Sequence, residues 1–448
     1  MKYITLIFCV LLLASPAYCS YNPSYRHTEL EQEYIDKMGG KLPACSRESD
    51  YMLGNWHCKR EELANKGVVF SQTFTMDYLA DVSGGRGQGA RYDHSLGWDI
   101  DFDLERFAGI PDTHFHISGL WRQGQNLSKA VIGNDMVVST IYGHEQFRFY
   151  NLYLARDFFN KRLNIKIGRI AAGDDFASSP IYSYFVSNAV DGVPISLPIN
   201  LFFSVYPTAT WGARAKYDLN KDFYILSAIY NGDKGVERDD MYGLDFSLRL
   251  KQGIAFAQEL AYSPEKGLGP HFLPGNYKAG IYYNGAVRRE LYSDINGAPS
   301  AITGLDNKKQ VGSYNIYFHA DQMIYREKGT EDEGLTPFVV ATIGPHNLNK
   351  FPFFITAGAI YKGLVPDRPR DTTAFEVIYA QYSNDLRRSQ ELSGAAVQNY
   401  EMVLEFTHKV VITKWMYMQP DLQYIIQPGG TGNIDDALVI GFQFGLVF

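Results

Sequence analysis

Between Trp98 and Glu105 every second residue is acidic: Asp99, Asp101, Asp103 and Glu105 alternate with Trp98, Ile100, Phe102 and Leu104. Carboxylates at that spacing share one face of a strand. There they can pair with cations, hold a metal, or offer acceptors to the hydroxyls of a passing solute. Basic residues recur in the same way, as Arg214 with Lys216 and as Arg249 with Lys251. His114 and His116 have the spacing of a metal pair on a strand, but the acidic row across the hairpin gives them hydrogen-bond partners, so no metal is expected. Catalytic groupings are weaker. No nucleophile elbow accompanies the Ser, His and Asp residues. The glycine-rich stretch Gly84–Gly89 lies between strand-like segments, so it reads as a loop and not as a phosphate cradle. A net charge of -7 argues against a nucleic-acid partner. The chain is therefore read as no enzyme, with no cofactor.

The elements that carry these residues are strands. Trp98, Ile100, Phe102 and Leu104 oppose the acidic row. After a turn near Gly109–Asp112, Phe115, Ile117, Gly119 and Trp121 oppose His114, His116, Ser118 and Arg122. In a second hairpin, Trp211, Ala213, Ala215 and Tyr217 alternate with Gly212, Arg214 and Lys216. A tight turn at Asn220–Lys221 would set Tyr217 opposite Tyr224 and Trp211 opposite Tyr230, with small aliphatics between. Aromatics at both ends of an apolar band suit a membrane with two interfaces better than a soluble core. The pattern continues in Tyr242–Lys251, where Tyr242, Leu244, Phe246, Leu248 and Leu250 oppose Asp245, Ser247, Arg249 and Lys251. It recurs in Tyr314–Asp321 and Tyr400–Thr407. About 380 residues follow Gly67, which at the usual spacing makes about 16 strands.

The last strand shows the pattern most clearly. Leu438, Ile440, Phe442, Phe444, Leu446 and Phe448 share one parity, and Ala437, Val439, Gly441, Gln443, Gly445 and Val447 share the other. A greasy alternating strand that stops on Phe448 resembles the closing strand of bacterial outer-membrane barrels, whose ending is read by the barrel assembly machinery. Phe442, Phe444 and Phe448 are then expected to meet lipid. Composition agrees with a barrel: aromatics are 15% of the 448 residues, with 41 Gly and 20% charged residues. If the apolar faces meet lipid, Asp99, Asp101, Asp103, His116, Arg214, Lys216 and Arg249 line a lumen. Charges of both signs suit neutral polar solutes better than a strongly ion-selective pore.

The N-terminal part differs. Lys2, an apolar run from Ile4 to Ala14, and small residues at Ser15, Ala17 and Ser20 read as a signal peptide over residues 1–20. Residues 21–67 read as a polar periplasmic extension, with short helices over Glu29–Met38 and Lys59–Asn65, and residues 68–448 as the barrel. Cys45 and Cys58 are the cysteines inside the mature chain and are expected to pair in an oxidising periplasm, where the bond would contribute roughly 3 kcal/mol. Zinc binding and two free thiols remain open alternatives.

The stretch from Leu53 to Gly85 resembles the opening of the carbohydrate-selective porins of the OprB family, a Leu-Gly-Asp-Trp-Gly-Gly-x-Arg segment, a helix ending in Gly, and a first strand. Gly54, Trp56, Arg60, Leu63 and Gly67 fit; Asn55 replaces Asp, and His57–Cys58 replaces the Gly pair. Further likenesses follow in order at Gly168–Ile170 with Gly173–Ala177, Pro207–Arg214, Tyr230–Asp233, Pro420–Ile425 and Pro428–Gly430. The resemblance implies an all-β fold: a transmembrane antiparallel β-barrel of about 16 strands in the bacterial outer membrane. It implies passive, carbohydrate-selective diffusion of small sugars through an eyelet of charged and aromatic residues. Arg214 is the leading constriction candidate, and Asp174 and Asp175 sit on a loop that either folds inward or faces solvent. The stretch Phe185–Phe203 is a second candidate for an inward loop. Rival readings are a general or ion-selective porin and an outer-membrane barrel enzyme. Monomer and trimer are both compatible with the sequence.

Overall fold

Residues 51–264 and 273–448 are described by a computed structural model. The expected signal peptide, the helix over Glu29–Met38 and Cys45 lie outside the described residues. A short helix, α1 (Lys59–Asn65), leads into the first strand. The wall begins with β1 (Val68–Gly85), β2 (Gly89–Asp103), β3 (Thr113–Gly124), β4 (Phe147–Phe158), β5 (Leu163–Ile170) and β6 (Thr210–Asp218). It continues through β7 (Phe223–Asn231), β8 (Ile254–Tyr262), β9 (Gly275–Asp294), β10 (Asn307–Gln322), the two-residue β11 (Tyr325–Arg326) and β12 (Gly334–Ile343). It ends with β13 (Phe353–Lys362), β14 (Thr372–Gln381), β15 (Tyr400–Thr413), β16 (Met416–Ile426) and β17 (Asp435–Val447). All pairings are antiparallel between neighbours, and β17 returns to pair with β1, so the sheet closes. With β11 as a minor addition, this is the 16-stranded barrel that the sequence implied. Closure leaves no sheet edge, as a strand-built membrane protein requires. Among the described residues no helix is long and apolar enough to cross a membrane.

The two faces divide as the alternation predicts. Tyr314 and Phe318 are exposed on the outside of β10, whereas Asn315, His319 and Asp321 are buried inside. On β17, Ile440 is exposed while Ala437, Val439 and Gln443 are buried. Gly445 has a steric reason: a Cβ there would collide with the ring of Tyr417 on β16, whose hydroxyl donates to Gln443 Oε1 at 2.7 Å. Near the N-terminus, Arg60 stacks between Tyr51 and Trp56 and donates from Nε to the Gly54 carbonyl at 2.7 Å. Trp56, His57 and Cys58 all take positive φ, so the two positions where the resembled family carries glycines do use left-handed backbone here. Glu62 sits on the exposed side of α1, and hydrogen bonds from Lys59 and Lys66 hold its carboxyl down to about 2.

Two local expectations are corrected. The first pair beside the β6–β7 turn is Asp218 with Tyr224, enclosing five residues, and the register pairs Tyr217 with Ile225 and Gly212 with Tyr230. A slip of one residue flips every side chain. Tyr224, Leu226, Ala228 and Tyr230 therefore face inward, and Phe223 and Ile229 are on the exposed face. The second correction concerns Tyr242–Lys251, which forms no strand. Gly243 adopts a φ of 73° and breaks the extended backbone at once. The segment instead lies against the wall beside β4, where the chain has left the wall after Ile170. Phe149 N–H donates to the Tyr242 carbonyl at 2.9 Å, Trp211 Nε1 to the Phe246 carbonyl at 2.8 Å, and Arg169 to the Asp245 carbonyl at 2.7 Å. Tyr242, Leu244, Phe246, Leu248 and Leu250 all remain exposed. The greasy face was real, but it patches the wall without joining the ladder.

Two long connections fold into the barrel: residues 125–146 after β3 and 171–209 after β5. Leu127, Ile132, Met136, Val138, Val186 and Ala189 pack in one apolar cluster with the wall residues Ile378, Val403, Ile425 and Val439. Phe185 and Phe203, the ends of the stretch expected to fold inward, are both buried.

Candidate functional site

One band of the inner wall gathers most of the charged candidates. Register sets Asp101 on β2 beside His116 on β3, His116 beside Tyr153 on β4, and Lys166 on β5 beside Arg214 on β6. His116 Nδ1 lies 2.5 Å from Asp101 Oδ1, and Nε2 lies 3.7 Å from Asp99 Oδ1. The imidazole stacks on the Tyr153 ring at 4.8 Å between centroids. Lys166 Nζ stands 4.7 Å from the centre of the same ring. The band thus runs carboxylate, imidazole, phenol ring, ammonium and guanidinium across five neighbouring strands.

Its basic end is capped by the inward loop. After β5 the chain makes a short 3-10 turn over Ala172–Asp174, and Phe176 anchors it in an apolar cluster with Tyr230 and Tyr282. Asp175 then receives Arg214 Nε at 3.0 Å and Lys166 Nζ at 3.3 Å. Arg214 also donates to Asn164 Oδ1. Asp174 points the other way and accepts from the Tyr150 hydroxyl at 2.6 Å and from Asn151 Nδ2 at 2.9 Å. Asp174, Asp175, Arg214, Lys166 and His116 are all buried.

The open ends of the band are Asp101, with 35% of its side chain exposed, and Lys216, with 38% exposed. Lys216 stands 4.8 Å from the centre of the Tyr224 ring and 3.6 Å from Asp218. Water-accessible acceptor, donor and aromatic groups therefore lie near the turn end of the barrel, while the buried pairs hold the loop above them. A polar ring molecule passing here meets carboxylate acceptors, ammonium donors and a phenol edge.

Two candidates lie elsewhere. Asp103, the last residue of β2, caps the helix α2 (Leu104–Ala108), accepting from Glu105 N at 3.0 Å, so the strand expected to carry the acidic row to Glu105 ends there in a helical turn. Arg249 lies in the segment after β7 and grips Asp233 and Asp245, each at 2.7 Å. Among the described residues no cluster of His, Cys, Asp and Glu could hold a metal. Sequence reasoning missed Tyr153 and Lys166. Lys166 had a readable signal, being a single cation between Ile165 and Ile167 in an alternating strand. Tyr153 had none, because its place between His116 and Lys166 depends on register across three strands.

Comparison with known proteins agrees with this fold. The family model described as carbohydrate-selective porin, OprB family, matches residues 87–448. Porin B of Pseudomonas aeruginosa is 29% identical over 426 residues, spanning 90% of this chain and 93% of that protein. A putative porin, QuiX, of Acinetobacter baylyi is 23% identical, over 90% of this chain and 94% of that one. The high-pH structure of Pseudomonas putida OprB superposes with a TM-score of 0.84 at 26% identity, covering 90% of this chain and 99% of its own. The chain belongs to the OprB family of carbohydrate-selective porins and is an outer-membrane β-barrel.

Proposed function

We propose that this porin passes small carbohydrates down their gradient past the band from Asp101 to Lys216, with Tyr153, Lys166 and Arg214 as its framework. The supporting observation is the band itself. Acceptors and donors are exposed at its two ends, and the cations and carboxylates behind them are mutually neutralised, so no strong single-sign field is presented to the solute. Asp99, Asp101, Lys216 and Tyr224 are the residues we assign to the solute path, with the buried His116 in the framework behind them. Asp174, Asp175 and Arg214 hold the loop that narrows it. The reading includes no catalytic step and no cofactor, as in the related porins.

Three further assignments belong to the same reading. Residues 1–20 are a leader removed on export, and residues 21–67 a periplasmic extension before the barrel at 68–448. Cys58 is assigned a disulfide with Cys45. Phe448 is the signal read during barrel assembly.

Planar-bilayer recording tests the central claim, with glucose and longer oligosaccharides titrated against the purified protein. The expected result is a channel whose conductance falls in a saturable way as sugar is added. A channel indifferent to every sugar would leave a general porin, and no channel at all would sink the reading.

A further inference from the structure

Two glutamates on one strand hold the two inward loops, and neither belongs to the band described above. Glu401 and Glu405 both point inward from β15, four residues apart, and both are fully buried. Glu401 accepts backbone N–H groups from Asp135 at 2.9 Å, Met136 at 2.6 Å and Gly429 at 2.6 Å. The first two belong to the loop after β3; the third belongs to the connection between β16 and β17. Glu405 accepts from Val186 N at 2.6 Å and Ser187 N at 3.3 Å, in the loop after β5. The loops are also tied to one another. Thr140 N–H donates to the Val186 carbonyl at 3.1 Å, and Asn188 N–H to the Val137 carbonyl at 2.8 Å.

Hydrogen bonds from backbone N–H to a carboxylate are among the stronger ones, and losing the acceptor leaves buried donors unsatisfied. Before Tyr182 the later loop is held by charged wall groups: Lys166 and Arg214 at Asp175, Glu259 at Ala177 N and Lys278 at the Ser178 carbonyl. From Tyr184 onward it also meets neutral wall groups. Ser196 meets Thr342 at 2.6 Å, Asn200 donates to the Phe351 carbonyl at 2.6 Å, and Gln419 donates to the Tyr184 carbonyl at 3.0 Å. Between Tyr182 and Ser196, Glu405 is the wall carboxylate that receives the loop's own backbone.

We infer that Glu401 and Glu405 are positioning residues: together they latch the two inward loops to β15 and so set the bore of the channel. They touch no solute. The inference rests on the channel reading for its meaning, but its geometry can be tested without any current. Because the loops bond to each other at Val186 and Asn188, the latches form one coupled unit, and removing both does less than the sum of removing each.

The test uses the full-length protein with Glu405→Ala, Glu405→Gln and Glu401→Ala, each first shown to be a folded barrel by heat-modifiable migration on gels. A cysteine introduced by Ser187→Cys, at a position that is buried beside the latch, reports loop release by reaction with a water-soluble maleimide. E405A is expected to label roughly ten-fold faster or more, the factor that losing even one of its two charge-assisted hydrogen bonds would give. E405Q keeps an acceptor oxygen and is expected to stay close to the parent. In bilayers, E405A and E401A are expected to raise single-channel conductance and to admit longer oligosaccharides. Unchanged labelling in a folded E405A barrel would overturn the latch. Faster labelling without any channel in the parent protein would instead leave the latch standing and defeat the channel reading.

Discussion

Asp175 bridges two buried cations at once, so it is the residue whose loss unbalances the site most. Replacing it by Ala leaves Arg214 and Lys166 buried without their counter-charge. Removing one partner of a buried ion pair typically costs about 3–5 kcal/mol. D175A is therefore expected to lower the urea midpoint of barrel unfolding, whereas Lys216→Ala, at the exposed end of the band, is expected to leave it nearly unchanged. Tyr153 makes a different claim. Its ring carries the stack with His116 and the approach of Lys166, so Tyr153→Ala removes the aromatic member of the band. The half-blocking sugar concentration is expected to rise about ten-fold, equivalent to about 1.4 kcal/mol; an unchanged value in a folded barrel would take Tyr153 out of the framework. The sequence showed that Arg214 faces inward, since alternation in a strand fixes parity. It did not show Asp175 as its partner, because that contact depends on how far the chain descends into the lumen after Ile170, and a loop carries no parity.

At the scale of elements, the most instructive piece is the segment from Tyr242 to Leu250. Its alternation was legible and correctly assigned a greasy face, yet alternation reports which side faces lipid and says nothing about ladder partners. A partner edge stood open on β4 before Leu152, where β5 does not reach, but Gly243, at a φ of 73°, turns the segment out of the extended backbone after one bond. Three bonds from Phe149, Trp211 and Arg169 hold the segment in place of a ladder. Trp211→Phe deletes one donor while keeping a large ring, at a cost of about 1 kcal/mol. The expected consequence is local: faster proteolytic nicking of residues 232–253 on an otherwise intact barrel, with the conductance retained. The hairpin of β6 and β7 teaches the same lesson from the other side. Both strands were evident, but five residues between the paired Asp218 and Tyr224, an odd number in place of two, moved Tyr224 and Tyr230 from lipid to lumen. Turn length decided the register, and the residues Asn220–Lys221 alone did not define it.

For the molecule as a whole, the decisive event is closure, and the residues just before β1 and after β17 take part in it. β17 runs along β1 from Leu438 to Val447; the Met52 N–H reaches the Val447 carbonyl at 3.0 Å, and the Phe448 N–H reaches the Gln72 carbonyl at 3.0 Å. Every one of these wall contacts is made by backbone. The side chain of Phe448 is therefore dispensable for the closed sheet, although the residue ends the alternating strand from which the barrel was first recognised. This separates two roles that a truncation would confuse. Phe448→Ala keeps the backbone donor to Gln72, so urea-unfolded protein diluted into detergent is expected to refold with wild-type yield and conductance. In cells the same variant is expected to reach the outer membrane in reduced amount, as the assembly role proposed for Phe448 requires. Measuring folded barrel in outer-membrane fractions alongside refolding yield in detergent distinguishes the roles. A matching loss in both would make Phe448 a packing residue of the periplasmic rim, and no loss in either would remove it from assembly altogether.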